Sequence, residues 1–88
     1  MNGRYFTGVL EVSGTTGATK SFTIPSEGFL STGNWNTKAV YYVSANATPT
    51  KIHSNGTSYT NVSVSNNVVT LTNTNASYRQ VYSFFGIG

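Results

Sequence analysis

The apolar and polar positions of this chain alternate like strands along most of its length. In "RYFTGVLEVS" (Arg4–Ser13), Phe6, Leu10 and Val12 fall on one face, while Tyr5, Thr7, Val9 and Glu11 fall on the other. That period of two is the mark of a half-buried strand. A glycine-rich turn, "GTTGAT", leads into "KSFTIP", where Phe22 and Ile24 face inward and Pro25 ends the pairing. "SEGFLSTGNWNT" (Ser26–Thr37) has no clean period and carries two glycines. It predicts a loop of about a dozen residues, long enough to raise a functional question. "KAVYYVSAN" (Lys38–Asn46) is the most apolar segment, with apolar residues on both faces. Such a strand is central, covered on both sides by its own chain or on one side by a second subunit. Its adjacent Tyr41 and Tyr42 must point opposite ways.

Asn55-Gly56 lies between "PTKIHS" and "TSYTNVSVS" and predicts a hairpin, because a type I′ turn needs positive φ at both central positions. Asn66-Asn67, between "NVSVS" and "VVTLTN", predicts a second. The chain closes on "SYRQVYSFFGI", with Tyr78, Gln80, Tyr82 and Phe84 on one face and Arg79, Val81, Ser83, Phe85 and Ile87 on the other. Seven short strands with regularly spaced turn signals make an all-β fold, a small antiparallel β-sandwich or barrel forming a single domain over 1–88.

Composition sharpens this picture. Asn, Ser and Thr make up 35 of 88 residues, nine are Val, six Tyr and five Phe, and the helix formers are scarce. There is no cysteine to staple so short a chain, and oligomerisation is the usual remaining reinforcement. Together with the apolar residues on both faces of the last strand, this predicts a homotrimer in which Phe85 and Ile87 pack against a neighbouring copy. The net charge of +3 reflects a shortage of acids, since Arg4, Lys20, Lys38, Lys51 and Arg79 are scattered singly. Without a basic stripe there is no case for nucleic-acid binding. No apolar run approaches the ~20 residues of a membrane span, and membrane insertion is not expected.

Catalytic chemistry finds little to work with. Glu11 and Glu27 are the only carboxylates and His53 the only histidine, with no G-x-S-x-G elbow and no Asp for a calcium loop. The sequence therefore points to no enzyme, no metal and no cofactor. The four N-x-S/T sequons, at Asn46, Asn55, Asn61 and Asn75, follow from the Asn, Ser and Thr content.

What remains is recognition of neutral, hydroxyl-rich ligands, which amides and flat aromatic faces hold without ion pairs. "GNWNT" (Gly33–Thr37) is the best candidate, with the single tryptophan, Trp35, between Asn34 and Asn36. In one reading Trp35 is a stacking plate with polar clamps; in the other it plugs the end of the core while the asparagines shape the turn. Tyr59 and His53, beside the Asn-Gly turn, extend the candidate surface, unless Tyr59 caps the core and His53 is merely an exposed hairpin residue.

The runs "KSFTIPSEGF", "NTKAVYYVSAN" and "NVVTLTNTNASYRQVYSFFGIG" resemble the small C-terminal β modules of bacteriophage tail fibres and receptor-binding proteins. The resemblance is one of texture, with Ser/Thr/Asn-rich hairpins and an aromatic final strand, and it spans nearly the whole chain without a diagnostic motif. It implies a trimeric virion-surface protein, extracellular when acting, that contacts other virion proteins and a host cell-surface glycan. Two other placements fit the same texture: a structural phage protein such as a capsid decoration or head fibre, and a carbohydrate-binding or adhesin module of a larger bacterial protein.

Overall fold

The computed structural model describes residues 5–56 and 59–87. Eight strands run through them: β1 (Tyr5–Leu10), β2 (Thr19–Thr23), β3 (Glu27–Gly33), β4 (Lys38–Ser44), β5 (Thr50–Asn55), β6 (Thr60–Ser65), β7 (Val68–Asn73) and β8 (Gln80–Gly86). They form a five-stranded sheet in the order β1-β8-β3-β4-β5 and a three-stranded sheet in the order β2-β7-β6. Every pairing is antiparallel, and the inner faces of the sheets meet in one core, so the fold is a small β-sandwich.

Two expectations need correction. The segment expected to be a loop contains β3, which lies at the centre of the larger sheet. Its inward positions are Gly28, Leu30 and Thr32, so only one of three is a large apolar residue and the period is disguised. Gly28 is required there, because a Cβ would collide with the Phe84 ring and the Phe85 carbonyl. Asn55-Gly56 does not join a hairpin either. Gly56 has the positive φ expected of a turn (95°), but β5 belongs to the five-stranded sheet and β6 to the three-stranded one. Asn55 ends β5 without a positive φ, so the type I′ geometry is absent along with the pairing, and the chain passes here between sheets. Glu27 opens β3 and accepts a 2.9 Å hydrogen bond from Tyr42 Oη. That bond, with partial desolvation, holds the Tyr42 hydroxyl above its ordinary pKa.

Other parts of the pattern are realised. β6 and β7 form a two-residue hairpin at Asn66-Asn67, with positive φ at Asn66 alone, the φ signature of a type II′ rather than a type I′ turn. β4 lies between β3 and β5, with Ala39, Tyr41 and Val43 buried and Tyr42 turned outward. β8 alternates as expected: Gln80 and Phe84 are fully buried, while Val81, Phe85 and Ile87 are about half exposed.

The core is riveted by aromatic residues from both sheets. Phe22 of β2 stacks on Phe6 of β1 at 4.8 Å and on Tyr82 of β8 at 5.8 Å, and leans on Phe84 at 5.4 Å. Leu10, Ile24, Leu30, Val43, Val69 and Leu71 fill the space around these rings.

Residues paired in register share a face, so the register describes both outer surfaces. On the five-stranded sheet one row runs Tyr5–Phe85–Phe29–Tyr42, four aromatic residues across four strands. The rings of Phe29 and Tyr42 sit 5.8 Å apart, tilted by 60°. On the three-stranded sheet the rows are Thr19–Thr72–Asn61, Ser21–Thr70–Ser63 and Thr23–Val68–Ser65. Hydroxyls pair along them, Ser21 with Thr70 at 3.0 Å and Thr19 with Thr72 at 3.4 Å.

Candidate functional site

Loops from both sheets meet at one end of the sandwich. The β3–β4 connection is tied by its own first residue. Asn34 Oδ1 accepts hydrogen bonds from the backbone N–H groups of Asn36 and Thr37, each at 2.8 Å, and from Thr37 Oγ1 at 3.4 Å. Asn34 N donates in turn to Thr37 O at 2.8 Å. A side-chain carbonyl that closes its own turn is what Asn does best, and here it holds the loop without help from the core. Gly33, at φ 146°, makes the turn passable, since a Cβ there would meet the Thr37 carbonyl. The result lifts Trp35 into solvent, 82% exposed, while Asn34 stays buried beneath it.

The β7–β8 connection repeats the device. Asn75 Oδ1 accepts from Ser77 N at 2.7 Å and from Tyr78 N at 3.0 Å, presenting Tyr78 about half exposed. Beneath it, buried Asn73 is a bracket. Its Nδ2 faces the carbonyls of Glu11 at 2.7 Å, Tyr78 at 3.0 Å and Leu10 at 3.4 Å, and its Oδ1 accepts from Asn75 N at 2.8 Å. One side chain thus fixes the end of β1 against the loop that carries Asn75 and Tyr78. The core changes character at this end: Thr32, Thr60, Asn73 and Gln80 are buried together with the apolar set. Among the described residues, Thr32 Oγ1 and Gln80 Oε1 have no hydrogen-bond partner.

Trp35, Tyr59 and Tyr78 border a cavity of about 210 Å³, completed by Asn34, Asn36, Thr37 and Asn75. Among the described residues, no charged side chain lines it. A wider groove of about 600 Å³ shares Asn34, Trp35 and Tyr78 with that cavity and extends to Glu11, Val12, Ser77, Arg79 and Val81. Trp35 and Tyr78 therefore stand between a neutral hollow and a groove carrying one acid and one base. The hollow is smaller than the ~300 Å³ at which drug-sized sites begin and suits a single small unit of a longer ligand. Three aromatic residues around amide and hydroxyl groups can stack on a flat apolar face and hydrogen-bond its polar rim. The Asn34 and Asn75 carbonyls are occupied by their own turns, so these residues can offer a ligand only their amide N–H groups.

No family model, curated protein or solved structure matches this chain. The site therefore rests on its own geometry.

Of the residues expected from sequence, Asn34, Trp35, Asn36 and Tyr59 are brought together at this cavity. The alternative in which Trp35 plugs the core is overturned by its exposure. Tyr59 is half-buried and lines the hollow, while its backbone carbonyl accepts from Thr74 N at 2.7 Å and Thr74 Oγ1 at 2.9 Å. His53 does not join them. It lies on edge strand β5, paired in register with Val40 on the outer face of the larger sheet, and lines neither hollow nor groove. Thr37, Asn75 and Tyr78 were missed. The signal for the last two was present in "TNASY", where an Asn two and three residues ahead of Ser77 and Tyr78 marks a side-chain-closed turn.

Proposed function

We propose that this chain is a non-enzymatic recognition module that binds host cell-surface carbohydrate at the hollow between Trp35, Tyr59 and Tyr78. The observation that carries the reading is the placement of Trp35. A large ring held 82% in solvent by a hydrogen-bonded loop, beside Tyr59 and Tyr78 at the mouth of a hollow, is placed to stack on a ligand. The uncharged hollow, with three asparagines around three aromatic rings, favours a neutral sugar over a charged metabolite. The virion setting, a bacteriophage tail fibre or receptor-binding protein, is supported by the resemblance in texture over nearly the whole chain.

One observation favours a second reading. The aromatic row on the outer face of the five-stranded sheet suits a structural virion component that packs against its neighbours. The two readings use different surfaces, so they can be separated. Wild-type protein on an array of bacterial surface glycans is expected to give discrete hits that Trp35→Ala abolishes. An array without hits would remove the carbohydrate reading and leave the structural one.

A further inference from the structure

We infer that a second copy of this chain covers the outer face of the five-stranded sheet. This goes beyond carbohydrate recognition and does not depend on it. Tyr5 (63%), Phe85 (47%), Phe29 (43%), Val81 (51%) and Ile87 (50%) all stand on that face with much of their surface in water. The same chain clothes its other outer face in Thr, Ser and Asn, where Val68 is the only apolar residue in the paired rows. A solvent-facing sheet in this protein is thus made of hydroxyls, and the aromatic face breaks that rule.

Size and charge point to the occupant. Five strands spaced about 4.8 Å apart and about 20 Å long make a face of roughly 480 Å², so two such faces in contact would bury roughly 1,000 Å², where specific interfaces begin. The charged residues in its rows, among the described residues, are Glu27 at one end of the β3–β4 pair and Lys38 at the other. A two-fold rotation about an axis across the strands lays the Lys38 end of one copy over the Tyr42–Glu27 end of its mate. Bulky Tyr5 and Phe85 then face the smaller Val9 and Val81 of the mate, and the middle row of Thr7, Ser83, Ser31, Val40 and His53 faces itself. A three-fold arrangement with the strands along the axis would gather three Lys38 ammonium groups instead. On this proposal the face takes two copies where the sequence leads to an expectation of three.

Sedimentation velocity across micromolar to sub-millimolar concentration tests this. Wild type is expected at the mass of two chains, Phe85→Lys and Phe29→Lys at the mass of one, and Ser63→Lys, on the hydroxyl face, at the wild-type mass. Both phenylalanines point away from the core, and circular dichroism checks that the variants retain the fold; should either unfold, Val81→Ser takes its place. A wild-type monomer, or an assembly untouched by the lysines, would overturn the proposal, and a mass of three chains would overturn the two-fold arrangement.

Discussion

The two outer faces of this sandwich cover the same core with opposite chemistry. The three-stranded sheet turns rows of Thr, Ser and Asn to water, linked by hydroxyl pairs such as Ser21–Thr70. The five-stranded sheet turns out Tyr5, Phe85, Phe29 and Tyr42. Neither face uses many charges, because the chain has only seven charged residues. The difference teaches that low charge alone does not mark a contact surface. Hydroxyl rows satisfy water, whereas aromatic rows leave apolar area exposed, and a monomer rarely keeps a large patch of that kind.

The largest effect is expected where the two faces share support. Phe22 links the sheets through Phe6, Tyr82 and Phe84, so Phe22→Ala should cost about 3–5 kcal/mol in denaturant unfolding, enough to unfold a domain this small. If Phe22→Ala proved nearly neutral, the sheets would not depend on a common core. Next comes Asn73→Ala. It strands the part-buried carbonyls of Glu11 and Tyr78 and the Asn75 N–H and should cost about 1–3 kcal/mol, with weaker glycan binding as the Asn75–Tyr78 loop loosens. Unchanged unfolding would mean that water replaces the bracket without loss.

A graft sharpens the comparison itself. Replacing Phe29 and Phe85 by Thr gives the aromatic face the chemistry of its counterpart. Those rings point outward, so each change should move the stability of the single chain by about 1 kcal/mol or less while abolishing self-association in sedimentation. A large loss of stability in the isolated chain would show that the aromatic row serves folding rather than contact. The smallest effect on folding belongs to Trp35→Ala, within about 0.5 kcal/mol by thermal unfolding, because the ring touches solvent more than protein. A substantial drop in Tm would show Trp35 to be part of the fold.

How much of this was legible in sequence depended on whether the signal was local. The alternation of β8 placed Phe84 and Phe85 on opposite faces, as the structure does, since a strand's two faces follow from a period of two. β3 escaped because its inward positions include Gly28 and Thr32, chosen for the space under Phe84 and for the polar end of the core, while Phe29 points out. The Asn-Gly signal at 55–56 predicted positive φ at two residues, which only Gly56 adopts, and it carried no information on pairing, because sheet membership is a property of the whole fold. At the site, Trp35 with its asparagines could be found in one loop. Tyr78 and Asn75 lie on a connection about forty residues further along the chain, and only the closure of the sandwich brings them beside Trp35.

The central claim is that the Trp35 end, and not either sheet face, meets the carbohydrate. Heteronuclear NMR of the labelled protein, titrated with a panel of bacterial cell-wall oligosaccharides, tests it most directly. The Trp35 indole N–H and the amides of Asn36, Tyr59, Asn75 and Tyr78 are expected to shift together and saturate, while Ser63, Thr70 and the aromatic row stay still. Saturable shifts confined to a sheet face, or a Trp35 resonance that never moves while other residues respond, would contradict it.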